Sequence, residues 1–300
     1  MWKTATLVDL SANAQPLGTI MSQSTGMTVP FFKMHGSGND FVLIDNRKLA
    51  LPRAQMTLWA QRICRKAFGI GADGLIFLQN APAGEQVDYI WHFYNADGSR
   101  AEMCGNGSRC AARLACEIGL ADRNHVLGTD AGPIRAQVRP DSTLVKVQLT
   151  PPQDLLLGTS LTVDGVQYEV HFVNTGVPHA VIIVDDVSAI DVDKLGRAMR
   201  NHEHFAPAGT NVNFIQIRGN CKLLLRTYER GVEGETFACG TGAAASALVA
   251  HELGLVDESV ELKTSGGEVL QIHLENGTLF LEGPAVKTYS GEMFIESLGL

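Results

Sequence analysis

The chain has 300 residues, 45% hydrophobic and 19% charged, which suits two folded domains and excludes an intrinsically disordered chain. A formal charge of −8 offers no basic surface for nucleic acid or anionic lipid, and no apolar run reaches the ~18 residues of a membrane span. The six cysteines, at 64, 104, 110, 116, 221 and 239, show no paired zinc spacing. With no secretory signal, they read as reduced thiols of a cytoplasmic protein.

Residues 1–27 are mixed and Ser/Gln-containing, without the apolar stretch of a signal peptide. They are expected to be a loosely ordered extension, with Met27 as an alternative start. The domain proper opens as strand, glycine turn and strand around His35-Gly36-Ser37-Gly38-Asn39-Asp40. An amphipathic helix is expected over 51–68, then strands over 75–78 and 87–94, the second ending in the turn Asn95-Ala96-Asp97-Gly98. Next comes Met103-Cys104-Gly105-Asn106-Gly107, followed by an alanine-rich run, a good helix former. Strands near 125–129, 133–139 and 143–149 lead to Pro151-Pro152, a boundary.

The order then repeats. Strands over 166–173 and 180–184 flank Asn174-Thr175-Gly176-Val177-Pro178-His179, and a helix covers 191–201. Strands over 212–217 and 222–228 precede Ala238-Cys239-Gly240-Thr241-Gly242 and a second alanine-rich run. Val269 begins an alternating strand, joined by an Asn276-Gly277 hairpin to another at 279–281. Gly36 to Gly69 and Gly176 to Gly209 both span 33 positions, and each Cys-Gly-x-Gly follows at a similar distance, 35 and 30 positions further on. This points to duplication of one α/β unit, with two similar halves facing each other.

Each Cys-Gly-x-Gly opens a helix whose first N–H groups lack internal partners and carry partial positive charge, an anion-binding arrangement. A thiol there is expected to have a lowered pKa, so Cys104 and Cys239 read as two activated cysteines. Cys64, Cys110, Cys116 and Cys221 read instead as small buried hydrophobes. His202-Glu203-His204 lacks the i, i+4 spacing of a helical metal site and reads as surface; no metal site is expected. Thiols on opposite walls of a cleft suit inversion of a carbon centre, one removing a proton and the other donating one. The two helix starts would hold the carboxylate as negative charge develops on it. No lysine sits in a setting that suggests pyridoxal chemistry, so no cofactor is expected.

Together, His35-Gly36-Ser37-Gly38-Asn39-Asp40-Phe41, Asn95-Ala96-Asp97-Gly98-Ser99, Met103-Cys104-Gly105-Asn106-Gly107, Tyr228-Glu229-Arg230-Gly231 and Ala238-Cys239-Gly240-Thr241-Gly242 resemble the diaminopimelate epimerase family. The resemblance runs from about residue 32 to the end. It implies an α+β fold of two pseudo-symmetric α/β domains, each a mixed sheet wrapped around a central helix, with the active site in the cleft between them. The N-terminal domain would comprise 28–149 plus about 285–300 and carry Cys104; the C-terminal domain would comprise 150–284 and carry Cys239. The implied activity is cofactor-independent interconversion of LL- and meso-diaminopimelate, a small-molecule substrate, for lysine and peptidoglycan synthesis. A homodimer is compatible with this reading.

By the same resemblance Cys104 and Cys239 are the two bases, with His179 and Glu229 beside the reacting centre. Asn39, Asn95, Gly105, Asn106, Asn211, Arg230, Gly240 and Thr241 bind substrate, Arg230 suiting the distal carboxylate. Many members carry Gly-Asn-Pro-His where this chain has Gly176-Val177-Pro178-His179, which removes an amide from the distal end. A racemase of histidine or a hydroxyproline-like substrate on the same scaffold is the alternative, and a thiol switch built on the two cysteines a further one.

Overall fold

The computed structural model describes residues 26–300, so expectations for 1–25 lie outside the described residues. The first half runs β1 (Thr28–Gly36), β2 (Asn39–Asp45), α1 (Asn46–Leu49), α2 (Arg53–Ile63), β3 (Gly74–Asn80), β4 (Tyr89–Asn95), α3 (Gly105–Glu117), β5 (Asn124–Thr129), β6 (Gly132–Val138) and β7 (Leu144–Gln148). The second runs β8 (Gln153–Val163), β9 (Val166–Asn174), β10 (Pro178–Ile183), α4 (Val192–Arg200), β11 (Asn211–Ile217), β12 (Lys222–Glu229), β13 (Gly234–Thr236), α5 (Gly240–Glu252), β14 (Ser259–Thr264), β15 (Val269–Glu275) and β16 (Thr278–Pro284), and β17 (Val286–Phe294) follows.

The duplication expected from the spacings is present in the hydrogen bonding. In the first half, β1 pairs antiparallel with β2, β2 parallel with β3, β3 antiparallel with β4 and β4 parallel with β5; β5, β6 and β7 then pair antiparallel. The second half repeats the same senses through β9, β10, β11, β12, β14, β15 and β16. The halves meet where β7 and β16 pair antiparallel. Beyond these, β8 pairs with β9 inside the second half, and β17 pairs back onto β1 of the first half. The result is a two-domain mixed-sheet α+β fold.

Each half wraps its strands around one alanine-rich helix. Cys110, Ala111, Ala112, Leu114 and Ala115 of α3 are fully buried, as are Ala243, Ala244, Ala245, Ala247, Val249 and Ala250 of α5. Small side chains let surrounding strands approach the helix closely while still removing apolar area from water. This placement holds the N-terminus of each helix at a fixed point of its sheet.

Some expectations need correction. The helix expected over 51–68 stops at Ile63, because Gly71 and Ala72 turn back to donate to the carbonyls of Ile63 and Cys64 at 3.0 and 3.2 Å. Strands β8, β13, β14 and β17 were not legible as separate elements. β8 and β17 are mostly exposed along their length, so neither shows the apolar alternation that marks a half-buried strand. Cys221 is exposed, contrary to its reading as a buried hydrophobe, whereas Cys64 and Cys110 are buried.

The joint between the halves contains a buried carboxylate. Glu282 on β16, 4% exposed, receives Arg139 through two bonds of 2.7 and 2.9 Å and lies 3.0 Å from His273 Nε2. His273 and then Arg139 hold its pKa down to about 2, against a desolvation penalty that acts the other way. Because the folded value lies below the unfolded 4.5, this contribution is present above pH 4.5 and is lost as pH falls towards 2. Glu282→Gln is expected to lose about 2–3 kcal/mol at pH 7 and to flatten the decline of stability between these pH values. Urea unfolding at a series of pH values checks it; an unchanged acid limb would contradict the assignment.

Candidate active site

Cys104 and Cys239 are the N-caps of α3 and α5, two helices of 13 residues. Both cap residues have extended backbone, so each chain arrives as a strand-like segment and turns directly into helix. The Cys239 thiol sulfur accepts from the Gly242 N–H at 3.4 Å. The Cys104 thiol sulfur lies 3.7 Å from Asn39 Oδ1. An ideal Cβ added to Gly105 would lie 3.1 Å from Leu281 Cδ2, and one on Gly240 3.0 Å from the same methyl. The two helix starts therefore converge on Leu281, a fully buried residue of the joining strand β16.

Both thiols line one cavity of about 510 Å³, within the ~300–1,000 Å³ usual for small-molecule sites. Of the residues expected at the site, Asn39, Cys104, Gly105, Asn106, Glu229, Cys239, Gly240 and Thr241 line it. His179 stands one layer behind, its Nε2 3.0 Å from the Thr241 hydroxyl. Asn95, Asn211 and Arg230 are not brought into the lining. Asn95 closes its own turn, donating to the Ser99 hydroxyl at 3.0 Å. The side chain of Asn211 is occupied by the backbone, donating to Pro178 O at 3.0 Å and accepting from Arg230 N at 2.8 Å. The Arg230 guanidinium donates to Ala208 O at 3.2 Å.

The cavity also contains residues that pattern reading did not assign to the site, among them Ser37, Asp73, Thr236 and Phe237, together with Val177, which the sequence marks as a departure at the distal end. Asp73 accepts from Asn39 Nδ2 at 2.7 Å, which orients that amide so that its oxygen faces Cys104. Arg109, fully buried one turn into α3, donates to Ser37 Oγ at 2.8 Å and to Asn106 Oδ1 at 2.9 Å. The only available signal for Asp73 was the second turn Gly69-Ile70-Gly71-Ala72-Asp73-Gly74, which reads as a plain break. Phe237 is 80% exposed beside Cys239, at the mouth of the cleft.

The electrostatics correct one expectation. Both thiols were expected to have lowered pKa values, yet both are raised. Burial raises Cys104, against the opposing Gly107 and Asn106 N–H groups and the Arg109 charge. Burial pushes Cys239 up to about 11, and the Glu229 carboxylate adds to it; the Thr241 hydroxyl and the backbone N–H groups of Gly242 and Thr241 pull the other way. Partial charge at a helix start is outweighed here by exclusion of the water that would solvate a thiolate. Burial likewise raises the Glu229 carboxyl. It also holds His179 down, to about 3, with Arg230 adding to the effect, so the ring is neutral.

The fold by itself defines a class. It is shared with a PhzF-family phenazine biosynthesis protein from Bacillus anthracis (TM-score 0.65, 15% identity, covering 89% of this chain and 99% of that one) and with a hydroxyproline epimerase from Agrobacterium vitis (TM-score 0.64, 15% identity, 89% and 92%). The sequence narrows this. The family model described as diaminopimelate epimerase matches residues 31–155 and 171–288. The diaminopimelate epimerases of Hydrogenobaculum sp. (strain Y04AAS1) and Aquifex aeolicus are each 47% identical to the chain, covering 88% and 89% of it and 98% and 99% of their own lengths. The chain belongs to the diaminopimelate epimerase family.

Proposed function

We propose that this protein is an isomerase that interconverts LL- and meso-2,6-diaminopimelate, with Cys104 and Cys239 exchanging the α-proton on opposite faces of one carbon. Family membership supports the substrate, and the carrying observation for the chemistry is that both N-cap thiols line one cavity. One sulfur, as thiolate, takes the proton from Cα; the other, as thiol, delivers its proton from the far side. The stereocentre inverts, and the charge has moved from the first sulfur to the second. The free N–H groups at the starts of α3 and α5 serve the reacting carboxylate, where negative charge accumulates. Glu229, inside the cavity, accepts the α-ammonium, and that incoming cation offsets the carboxylate charge that raises Cys239. Substrate charge beside Glu229 thus lowers the cost of a thiolate at Cys239. The division into 28–149 with about 285–300, and 150–284, places one thiol in each domain.

Val177 lines the cavity where many relatives would present an amide, so the distal end of the substrate loses one polar partner on this wall. Among the described residues no helix is long and apolar enough to cross a membrane. The six cysteines are all unpaired, which supports the cytoplasm as the reducing compartment in which the reaction takes place.

The test is α-proton exchange in D2O, followed by NMR with LL-diaminopimelate, histidine and hydroxyproline offered separately. Deuterium at Cα of diaminopimelate together with meso product is expected. Exchange confined to histidine or hydroxyproline would overturn the substrate, and no exchange with any of them would overturn the reaction.

A further inference from the structure

Behind the Cys239 wall lies a buried polar chain whose innermost members have no part in the reaction described above. Asn213 on β11 is fully buried. Its amide nitrogen donates to Ala180 O at 3.0 Å and to His179 Nδ1 at 3.1 Å, and its oxygen accepts from the Thr227 hydroxyl at 3.0 Å. A backbone carbonyl can only accept, so Ala180 decides which end of the amide is nitrogen. His179 Nδ1 therefore faces an N–H and carries no proton. The neutral ring then bears its proton on Nε2 and donates it to Thr241 Oγ1 at 3.0 Å. Having accepted there, the Thr241 hydroxyl keeps its own hydrogen available, and Cys239 Sγ is 3.4 Å away.

We propose that Asn213 is a positioning residue: it fixes His179 as the Nε2–H tautomer and, through His179 and Thr241, turns a hydroxyl hydrogen towards the Cys239 sulfur. A donated hydrogen bond favours the charged form of its acceptor, so the chain assists thiolate formation at Cys239. Space is reserved for it: an ideal Cβ on Gly242 would lie 2.4 Å from Asn213 Oδ1, closer than non-bonded atoms approach. The first half presents the opposite polarity beside its thiol, through Asn39 and Asp73, the residue just ahead of β3. There Asp73 accepts from Asn39, whose oxygen faces Cys104. One thiol thus meets an acceptor and the other a donor.

The tautomer assignment stands independently of the substrate; the kinetic consequence rests on Cys239 exchanging a proton, as proposed above. Long-range 15N–1H NMR of the histidine-labelled full chain at neutral pH, with His179→Gln assigning the signal, is expected to show the proton on Nε2. An Nδ1–H tautomer or an imidazolium would overturn the proposal even in a fully active enzyme. Asn213→Asp, which supplies an acceptor to Nδ1 instead of a donor, is expected to move a proton onto Nδ1. It should lower kcat about 10²-fold with KM changed less than about threefold. In a His179→Gln background the same substitution should lower kcat by less than about threefold, because Asn213 acts through His179. Equal losses in both backgrounds would make Asn213 merely structural. If Asn213→Asp does not fold, Thr227→Val, which frees the amide oxygen, should lower kcat about tenfold with the same dependence on His179; additivity there would equally overturn it. Wild-type enzyme that leaves diaminopimelate unexchanged would count against the reaction, with the NMR result still deciding the tautomer.

Discussion

Replacing either Cys104 or Cys239 with alanine is expected to lower the rate of α-carbon inversion by about 10³-fold or more, with the fold retained. The size of the effect follows from the chemistry. A proton must leave one face of the carbon and another must arrive on the opposite face, and the proposed mechanism gives each face one thiol. Positioned acid–base groups contribute about 10²–10⁴-fold each, and a methyl group cannot substitute for either. The fold should survive because a thiol-to-hydrogen change at an N-cap removes little buried area; at Cys239 it also removes the acceptor for Gly242 N–H, a cost of about 1 kcal/mol. The measurement is α-proton exchange and inversion of each stereoisomer by each variant, alongside thermal unfolding. A single variant that still inverts either isomer at more than a few per cent of the wild-type rate would sink the two-thiol mechanism. The raised pKa values add a second readout. In the ligand-free enzyme, alkylation of Cys239 at neutral pH should be slow, because its thiol is held at about 11.

Leu281→Ala should cost about 3 kcal/mol of stability and also lower kcat by about tenfold, although Leu281 carries no chemistry. Its side chain is fully buried in the strand that joins the halves, and deletion of a buried leucine typically costs about 2–5 kcal/mol through lost transfer energy and a residual cavity. The catalytic consequence comes from geometry. One methyl of Leu281 sits against both Gly105 and Gly240, so it sets how closely the two helix starts approach. Loosening that wedge shifts both sets of N–H groups and both thiols relative to a shared carboxylate, and errors of about 1 Å cost rate steeply. Leu279→Ala, on the same strand and equally apolar, is the control: similar stability should be lost with little change in kcat. Equal kcat values for the two variants would show that Leu281 is only packing.

Much of the molecule is written locally in the chain. The alanine runs after Cys104 and Cys239 form helices because of their own propensity, and the Gly-x-Gly before each run allows neighbours to come close. The repeat of glycine and cysteine landmarks disclosed the duplication, since a duplicated fold keeps its tight turns and helix starts at matching places. Cys104, Cys239, Gly105, Gly240, Asn39, Asn106, Glu229 and Thr241 were all legible as members of motifs, and they line one cavity.

The tertiary structure decided the rest, because those features depend on partners distant in the chain. β17 pairs with β1 at the other end of the chain and β8 with β9, and exposed strands carry no apolar alternation to announce either pairing. Leu281 looks like any strand leucine until β16 brings it beneath two glycines from opposite halves. Asn213 and Asp73 are ordinary polar residues in sequence, and only parallel pairing between neighbouring strands sets them against His179 and Asn39. The thiol pKa values show the same division. Local sequence places a helix start beneath each sulfur, which lowers the pKa, whereas burial raises it. Burial is set by the whole fold, and at both sulfurs it wins.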